Sequence, residues 1–458
     1  MNAIAPQLRK RFREAKATVE AATVPNAIFA LYCFFVLDYF ARLAARFPVW
    51  GMLRPTLILV ALLAFAAFLH VDKFRGVMRE PTVRILLFFL LYLLLSFPLV
   101  EWPGSIIRHN LPEFVKAAVF LFFTAFFVDT DRRLKVFLAL FVGLQFLRVL
   151  EPLYLNVTTG YLSGGYYIGG GEFAGRLSGA RADVINPNGL AFVIATTLAY
   201  AHFVLWWSPS KALKLVYLLY VPAALYALVL TGSRGGFLAA LVVVGMMFWY
   251  SRHKAVFLVV ALVVAFGAWS QLDDTQRERY SSLIDSESSQ HGTVDGRLEG
   301  IKEEFRLGLN RPIFGHGLGT TPEVKVNFGS GRKQAAHNLY AEALIETGII
   351  GFLIFMAFLL SCYKLLAANM KRFRELGSDY ASPSNFHFRL NLALITVFWM
   401  YVFYSYNYFG LSQEYWYLFA GLCVAFSRSI QRNLDDDARP APATEARPQH
   451  RFGNGQLA

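Results

Sequence analysis

The sequence predicts an all-α, polytopic membrane protein of about twelve transmembrane helices. Three observations predict it. The 458 residues are 56% hydrophobic and 16% aromatic, with a mean hydropathy of +0.43. Only 16% are charged, where a soluble domain carries about 25%. Apolar runs of about 18 residues or more recur along the chain, the length that crosses a bilayer as a helix. In lipid the backbone must satisfy its own hydrogen bonds, which helices do. The short alternating strands of a barrel are missing from the pattern.

Residues 1–25 carry Arg9, Lys10, Arg11, Arg13 and Lys16 and no cleavage-site pattern, so they read as a basic cytoplasmic leader. Spans are then expected at about 26–45, 55–71, 84–101, 112–129, 134–151, 186–207, 213–231, 234–251, 254–271, 338–363, 389–408 and 411–427. Nine of these fall within 26–271 and three within 338–427. An even number places both termini on one side. The segments assigned inside hold 26 of the 44 Lys and Arg, and every short inner loop is basic, as the positive-inside rule requires. Arg42, Arg46 and Arg54 run against the rule. Either the first boundary is misplaced or these arginines serve something anionic outside. The net charge of +13 is thus assigned to inner loops and anionic lipid, not to nucleic acid. Cys33, Cys362 and Cys423 all lie in apolar runs, so neither a disulfide framework nor a zinc site is expected.

Two outer segments are long. Residues 152–185 are glycine-rich and read as a mobile loop. Residues 272–337 form a large polar loop, long enough for a small helical subdomain, with helical spacing over 297–309. The tail 428–458 is polar and Pro/Ala-rich and reads as a disordered cytoplasmic segment. Asp129-Thr130-Asp131 imitates a metal-binding DxD but has no domain around it. Asn156-Val157-Thr158 is a glycosylation sequon on paper only. Asp38, inside the first span, reads as a packing or pathway residue.

The chemistry is expected on the outer face. His337 stands at the start of a helix, where the dipole disfavours imidazolium, and a neutral ring accepts a proton. The plainer reading is an interfacial His facing water. Arg234 lies in TGSRGG, where Gly232, Gly235 and Gly236 leave room for a bulky anion and the guanidinium matches phosphate bidentately. The plainer reading is a turn arginine reaching the interface. Arg176 and Arg181 precede a helix start at Asn186-Pro187-Asn188, with Asn186 as cap and Pro187 in the first turn. Arg297, Arg306 and Arg311 complete an outer basic set. Asn338 and Glu342 follow His337, and Glu342 is placed to orient its neighbours. Several arginines and one His, with no nucleotide or metal motif, fit a membrane-embedded anion with an activated leaving group.

The stretches GRLSGARADVINPNGLA, LTGSRGGFLAA and DGRLEG…NRPIFGHGLGT…AAHNLYAEALIETGIIG together resemble the O-antigen ligase and polymerase superfamily of bacterial envelope enzymes. Within it the chain looks most like the lipopolysaccharide O-antigen ligases. The resemblance implies transfer of a polysaccharide from undecaprenyl diphosphate to lipid A–core, on the periplasmic face of a Gram-negative inner membrane. It implies an inverting reaction without metal or other cofactor, on a GT-C-like fold. The family's essential His matches His337, and its arginines match Arg234 and, among Arg176, Arg181 and Arg297, at least one more. A polymerase shares these motifs. A protein O-oligosaccharyltransferase shares them too but usually carries a large extra periplasmic part. A lipid-linked glycan flippase is the rival outside enzymology. It places its ionisable groups near the midplane between repeats, not at the outer edge.

Overall fold

The computed structural model describes residues 23–169, 172–270, 277, 292–408 and 410–437. Most of the expected leader and most of the expected tail lie outside them. Each apolar run forms a helix. In chain order these are α1 (Asn26–Ala41), α2 (Pro55–Leu69), α3 (Val71–Met78), α4 (Pro81–Ser96), α5 (Leu111–Phe127) and α6 (Asp131–Thr159). Then come α7 (Pro187–Tyr200), α8 (Lys211–Thr231), α9 (Arg234–Tyr250) and α10 (Lys254–Ser270). The polar segment after α10 contributes α11 (Gly292–Leu309) and α12 (Thr321–Phe328), and α13 (Leu339–Leu376), α14 (Phe386–Tyr404) and α15 (Glu414–Asp437) follow.

Among the described residues seven helices are long and apolar enough to cross a membrane, or up to eight if α2 and α3, bent by 91°, form one span. A count of twelve adds α1, α9 and Lys254–Val263, which are apolar but shorter, and α15. The core is one continuous apolar cluster running through most of these helices. Its most extensive seam is α5 against α15, where a Cβ on Gly421 would stand 2.8 Å from the Leu121 carbonyl oxygen.

Three features depart from the sequence reading. Residues 152–185 are not all irregular: α6 runs on to Thr159, and β1 (Gly164–Gly169) pairs antiparallel with β2 (Glu172–Arg176). Arg42, in the left-handed conformation (φ 53°), ends α1 and turns the chain. Its Nε is 3.4 Å from Asp183, and Arg46 forks onto the Glu151 carboxylate. The anions these two arginines serve are the protein's own. Buried Asp38 accepts from Trp50 Nε1 at 2.6 Å, a packing role.

The third departure is in α13, which does not run straight. Gly348 (φ 65°, ψ −174°) breaks it after two turns. A break frees backbone groups that lipid cannot satisfy. The loop Arg311–Gly319 meets them. His316 N donates to the Ile345 carbonyl at 2.8 Å, Gly317 N to that of Glu346 at 3.0 Å, and Ile349 N to that of Pro312 at 2.6 Å. A side chain at 348 would overlap the Ile313 carbonyl. Gly348→Ala should therefore cost at least about 1–3 kcal/mol from this positive-φ, extended backbone alone. Gly245→Ala on α9, where nothing lies within 4 Å, should be neutral or stabilising by under about 1 kcal/mol. Melting of the two purified variants in detergent checks this; equal melting would mean the break is not held by the loop.

Candidate active site

The site is assembled from three helix starts and one helix end. α8 stops at Thr231 because Gly232 takes a left-handed conformation (φ 53°). Ser233 then caps α9, its Oγ accepting from Gly236 N at 3.1 Å. Arg234 is thereby the first residue of α9, and it is buried. Asn186 caps α7 by accepting from Gly189 N at 2.8 Å, with Pro187 in the first turn. Asn338 caps α13 by accepting from Tyr340 N at 2.8 Å and Ala341 N at 3.1 Å. Each cap satisfies donors that a helix start leaves open.

These starts meet. The Ser233 hydroxyl donates to Asn188 Oδ1 at 2.8 Å. Tyr404, the last residue of α14, donates to the Asn188 carbonyl at 2.7 Å. Beyond it, the Tyr406 carbonyl accepts from Asn338 Nδ2 at 3.2 Å, and Tyr340 packs on Tyr406 with ring centroids 5.1 Å apart. The Asn407 side chain lies against Gly235. The turn Ser405–Asn407 thus joins the first turn of α9 to that of α13. The positive ends of three helix dipoles face one region, which is the electrostatics of an anion site.

The glycines of TGSRGG do a different job from the one read off the sequence. Gly236 admits the methyl of Ala191 on α7, and Gly235 admits Asn407 and Tyr404. They pack protein against protein instead of leaving room for an anion. Arg176, also buried, donates from Nε to the Thr231 carbonyl at 2.6 Å and from Nη2 to Asn188 Oδ1 at 3.1 Å. It braces the turn that carries Arg234. Arg181 is exposed. Arg297 lies in α11, its side chain outside the described residues, and Arg306 on the same helix is exposed. Arg311 reaches the Leu99 carbonyl at 2.8 Å and Glu101 at 3.5 Å.

His337 is half-buried, and its backbone N–H donates to Glu304 Oε1 at 2.9 Å. The same oxygen accepts from Lys325 Nζ at 2.6 Å, and Lys325 Nζ also donates to the Ala335 carbonyl at 2.9 Å. Glu304 and Lys325 are both buried, so α11 and α12 hold the approach to His337 as one unit. Glu304 Oε2 has no hydrogen-bond partner among the described residues. Sequence reasoning missed Glu304. Its one signal was a carboxylate sharing the buried stripe of α11 with Leu307 and Gly308. Buried Glu342 accepts from Gly410 N at 2.7 Å and Leu411 N at 3.0 Å, and so orders the loop after α14. Glu346, one turn on, accepts from Gly319 N at 2.7 Å and Thr321 Oγ1 at 2.8 Å. His316 was also missed. It is buried beneath Trp102 and within 2.8 Å of Glu101.

The DxD lookalike is engaged elsewhere. Asp129 pairs with Arg133 at 2.7 Å, and Asp131 with His387 at 2.7 Å and Lys135 at 2.6 Å. No group of three or more His, Cys, Asp or Glu side chains that could hold a metal occurs among the described residues.

The arrangement is that of a multi-pass helical membrane protein whose helix starts gather buried arginine and a His at one face. Residues 215–356 match the family model described as O-antigen ligase, which supports membership of the O-antigen ligase/polymerase superfamily. The matched stretch contains Arg234, Glu304, His337, Asn338 and Glu342. The superfamily includes glycosyltransferase-like ligases, which supports a glycosyl-transfer enzyme acting on lipid-linked glycan and a lipid acceptor. No curated protein matches the chain.

Proposed function

We propose that this protein is a lipopolysaccharide O-antigen ligase. It moves a polysaccharide from undecaprenyl diphosphate to lipid A–core on the periplasmic face of a Gram-negative inner membrane. The reaction is an inverting, metal-independent transfer on a GT-C-like fold of twelve spans with both termini cytoplasmic. The observation that carries the reading is the joining of the Arg234 helix start to the His337 helix start through Ser405–Asn407.

Each role follows from chemistry. A diphosphate is multiply anionic, and guanidinium stays charged at any working pH. Arg234, at the positive end of the α9 dipole, receives the diphosphate. Negative charge grows on the departing lipid diphosphate in the transition state, and Arg234 stabilises it there. The leaving group needs no proton. The acceptor sugar hydroxyl does need help to attack, and His337 removes its proton as the new glycosidic bond forms and the anomeric carbon–phosphate bond breaks. Arg176 acts through the turn it braces. Arg181, which is exposed, and Arg297 meet the diphosphate or the glycan beyond it.

The test is reconstitution of the purified chain with lipid-linked glycan and lipid A–core in detergent, without nucleotide or metal. Glycan-bearing lipid A–core is the expected product. Lengthened lipid-linked glycan instead would make the protein a polymerase. Absence of any glycosyl transfer in detergent, with donor crossing the membrane once the chain is placed in vesicles, would make it a transporter.

A further inference from the structure

A cavity of about 440 Å³ lies away from this site, between α9, α13 and α14. Arg234 starts α9, and Tyr250, which lines the cavity, ends it. Seventeen residues of helix separate the two faces by about 25 Å. The walls are ordered by polarity. Lys371 and Arg374 stand at one end, near the end of α13. Tyr363, about 12 Å back along α13, lies with Trp399 and Ile395 toward the middle of the bundle. Trp249 is 72% exposed and Trp399 41% exposed, so the cavity opens sideways between them, and Trp249, beside the end of α9, stands where tryptophan favours the headgroup level of a bilayer.

The charge is one-sided. No lining residue is acidic. Arg374 is exposed and has no carboxylate partner among the described residues. Lys371 reaches Glu375 at 3.7 Å, with the two side chains 79% and 63% exposed, a pair that solvent screens and a phosphate readily displaces. Arg252 and Lys254, just past Tyr250, add to the same field. Two cations at the rim, aromatic rings below them and an apolar wall toward the midplane reproduce the polarity order of one lipid molecule. Basic pockets between transmembrane helices hold anionic headgroups in this way.

We propose that this cavity binds one anionic glycerophospholipid of the leaflet opposite the site. Its phosphate sits between Lys371 and Arg374, and its glycerol and upper acyl chains lie along Trp249, Tyr363 and Trp399. The proposal stands apart from the reaction proposed above, because no residue of that site lines the cavity.

The experiment uses the full chain in mixed micelles, titrated with phosphatidylglycerol or phosphatidylcholine carrying brominated acyl chains, which quench nearby tryptophan. Phosphatidylglycerol should reach half-maximal quenching at a roughly tenfold lower mole fraction than phosphatidylcholine. Lys371→Gln/Arg374→Gln should bring the two lipids together, and these exposed positions leave the fold intact, as melting should show. Trp249→Phe/Trp399→Phe should remove the selective quenching while the other six tryptophans report on the annulus. Equal quenching by both lipids in the wild type overturns the proposal, as does unchanged selectivity in the glutamine variant. So does displacement by inorganic diphosphate at the lipid's own concentration, since the cavity would then read free phosphate.

Discussion

Replacing His337 by alanine should lower glycan transfer by about 10²–10⁴-fold while the chain stays folded, the usual worth of a general base. The fold survives because the link from this residue to Glu304 runs through the backbone N–H, which alanine keeps. The Asn338 cap and its bond to the Tyr406 carbonyl are likewise untouched. Turnover falls because the acceptor hydroxyl loses the group that takes its proton. Initial rates of product formation, beside melting of the same preparation, check this. Wild-type turnover in the variant would remove His337 from the chemistry. A collapse in melting would make it a structural residue.

The second large effect lies away from the chemistry. Arg148 on α6 forks onto Asp183, from Nε at 2.6 Å and from Nη2 at 3.1 Å. Both side chains are buried. Arg148→Ala should cost about 3–5 kcal/mol, because it leaves the Asp183 carboxylate buried with only the distant Arg42 contact. Asp183 lies between Arg176 and Asn186, in a loop closed by the Gly179 N to Ile185 carbonyl bond of 2.9 Å. Losing the pair therefore loosens the segment that braces the Arg234 turn, and activity should fall with stability. Arg148→Ala/Asp183→Asn should recover most of the loss, since the uncompensated charge is gone. Unfolding of both variants in detergent measures it. A single variant within about 1 kcal/mol of wild type would show that water reaches the carboxylate.

Much of the helical frame was legible in the chain, because an apolar run in lipid has one way to satisfy its backbone. The helix starts near 186, 234 and 338 were legible too, the first through Asn186, since a cap is a local bond between neighbours. What needed the folded chain was partnership between distant segments. Gly348 reads as an ordinary residue of an apolar run until the Pro312–Gly317 loop is seen bonding to the carbonyls it frees. Glu304 reads as a surface charge until Lys325 and the His337 amide close on it. Arg42 and Arg46 read as misplaced outer charges until Asp183 and Glu151 appear beside them. The hairpin was hidden because its glycines favour a loop reading. The motif glycines around Arg234 read as room for an anion, and in the fold Gly235 and Gly236 admit Asn407 and Ala191 instead.

The division of labour between Arg234 and His337 is tested most directly by donor affinity. Binding of the lipid-linked diphosphate donor is measured for wild type, Arg234→Ala, Arg234→Lys and His337→Ala under one set of conditions. The account predicts near-wild-type affinity for His337→Ala. It predicts a loss for Arg234→Ala of at least about tenfold, the worth of one charge-assisted hydrogen bond. Arg234→Lys should fall between, keeping charge without the fork. If His337→Ala loses donor affinity as badly as Arg234→Ala, His337 is a phosphate ligand and the assignment of the base is wrong.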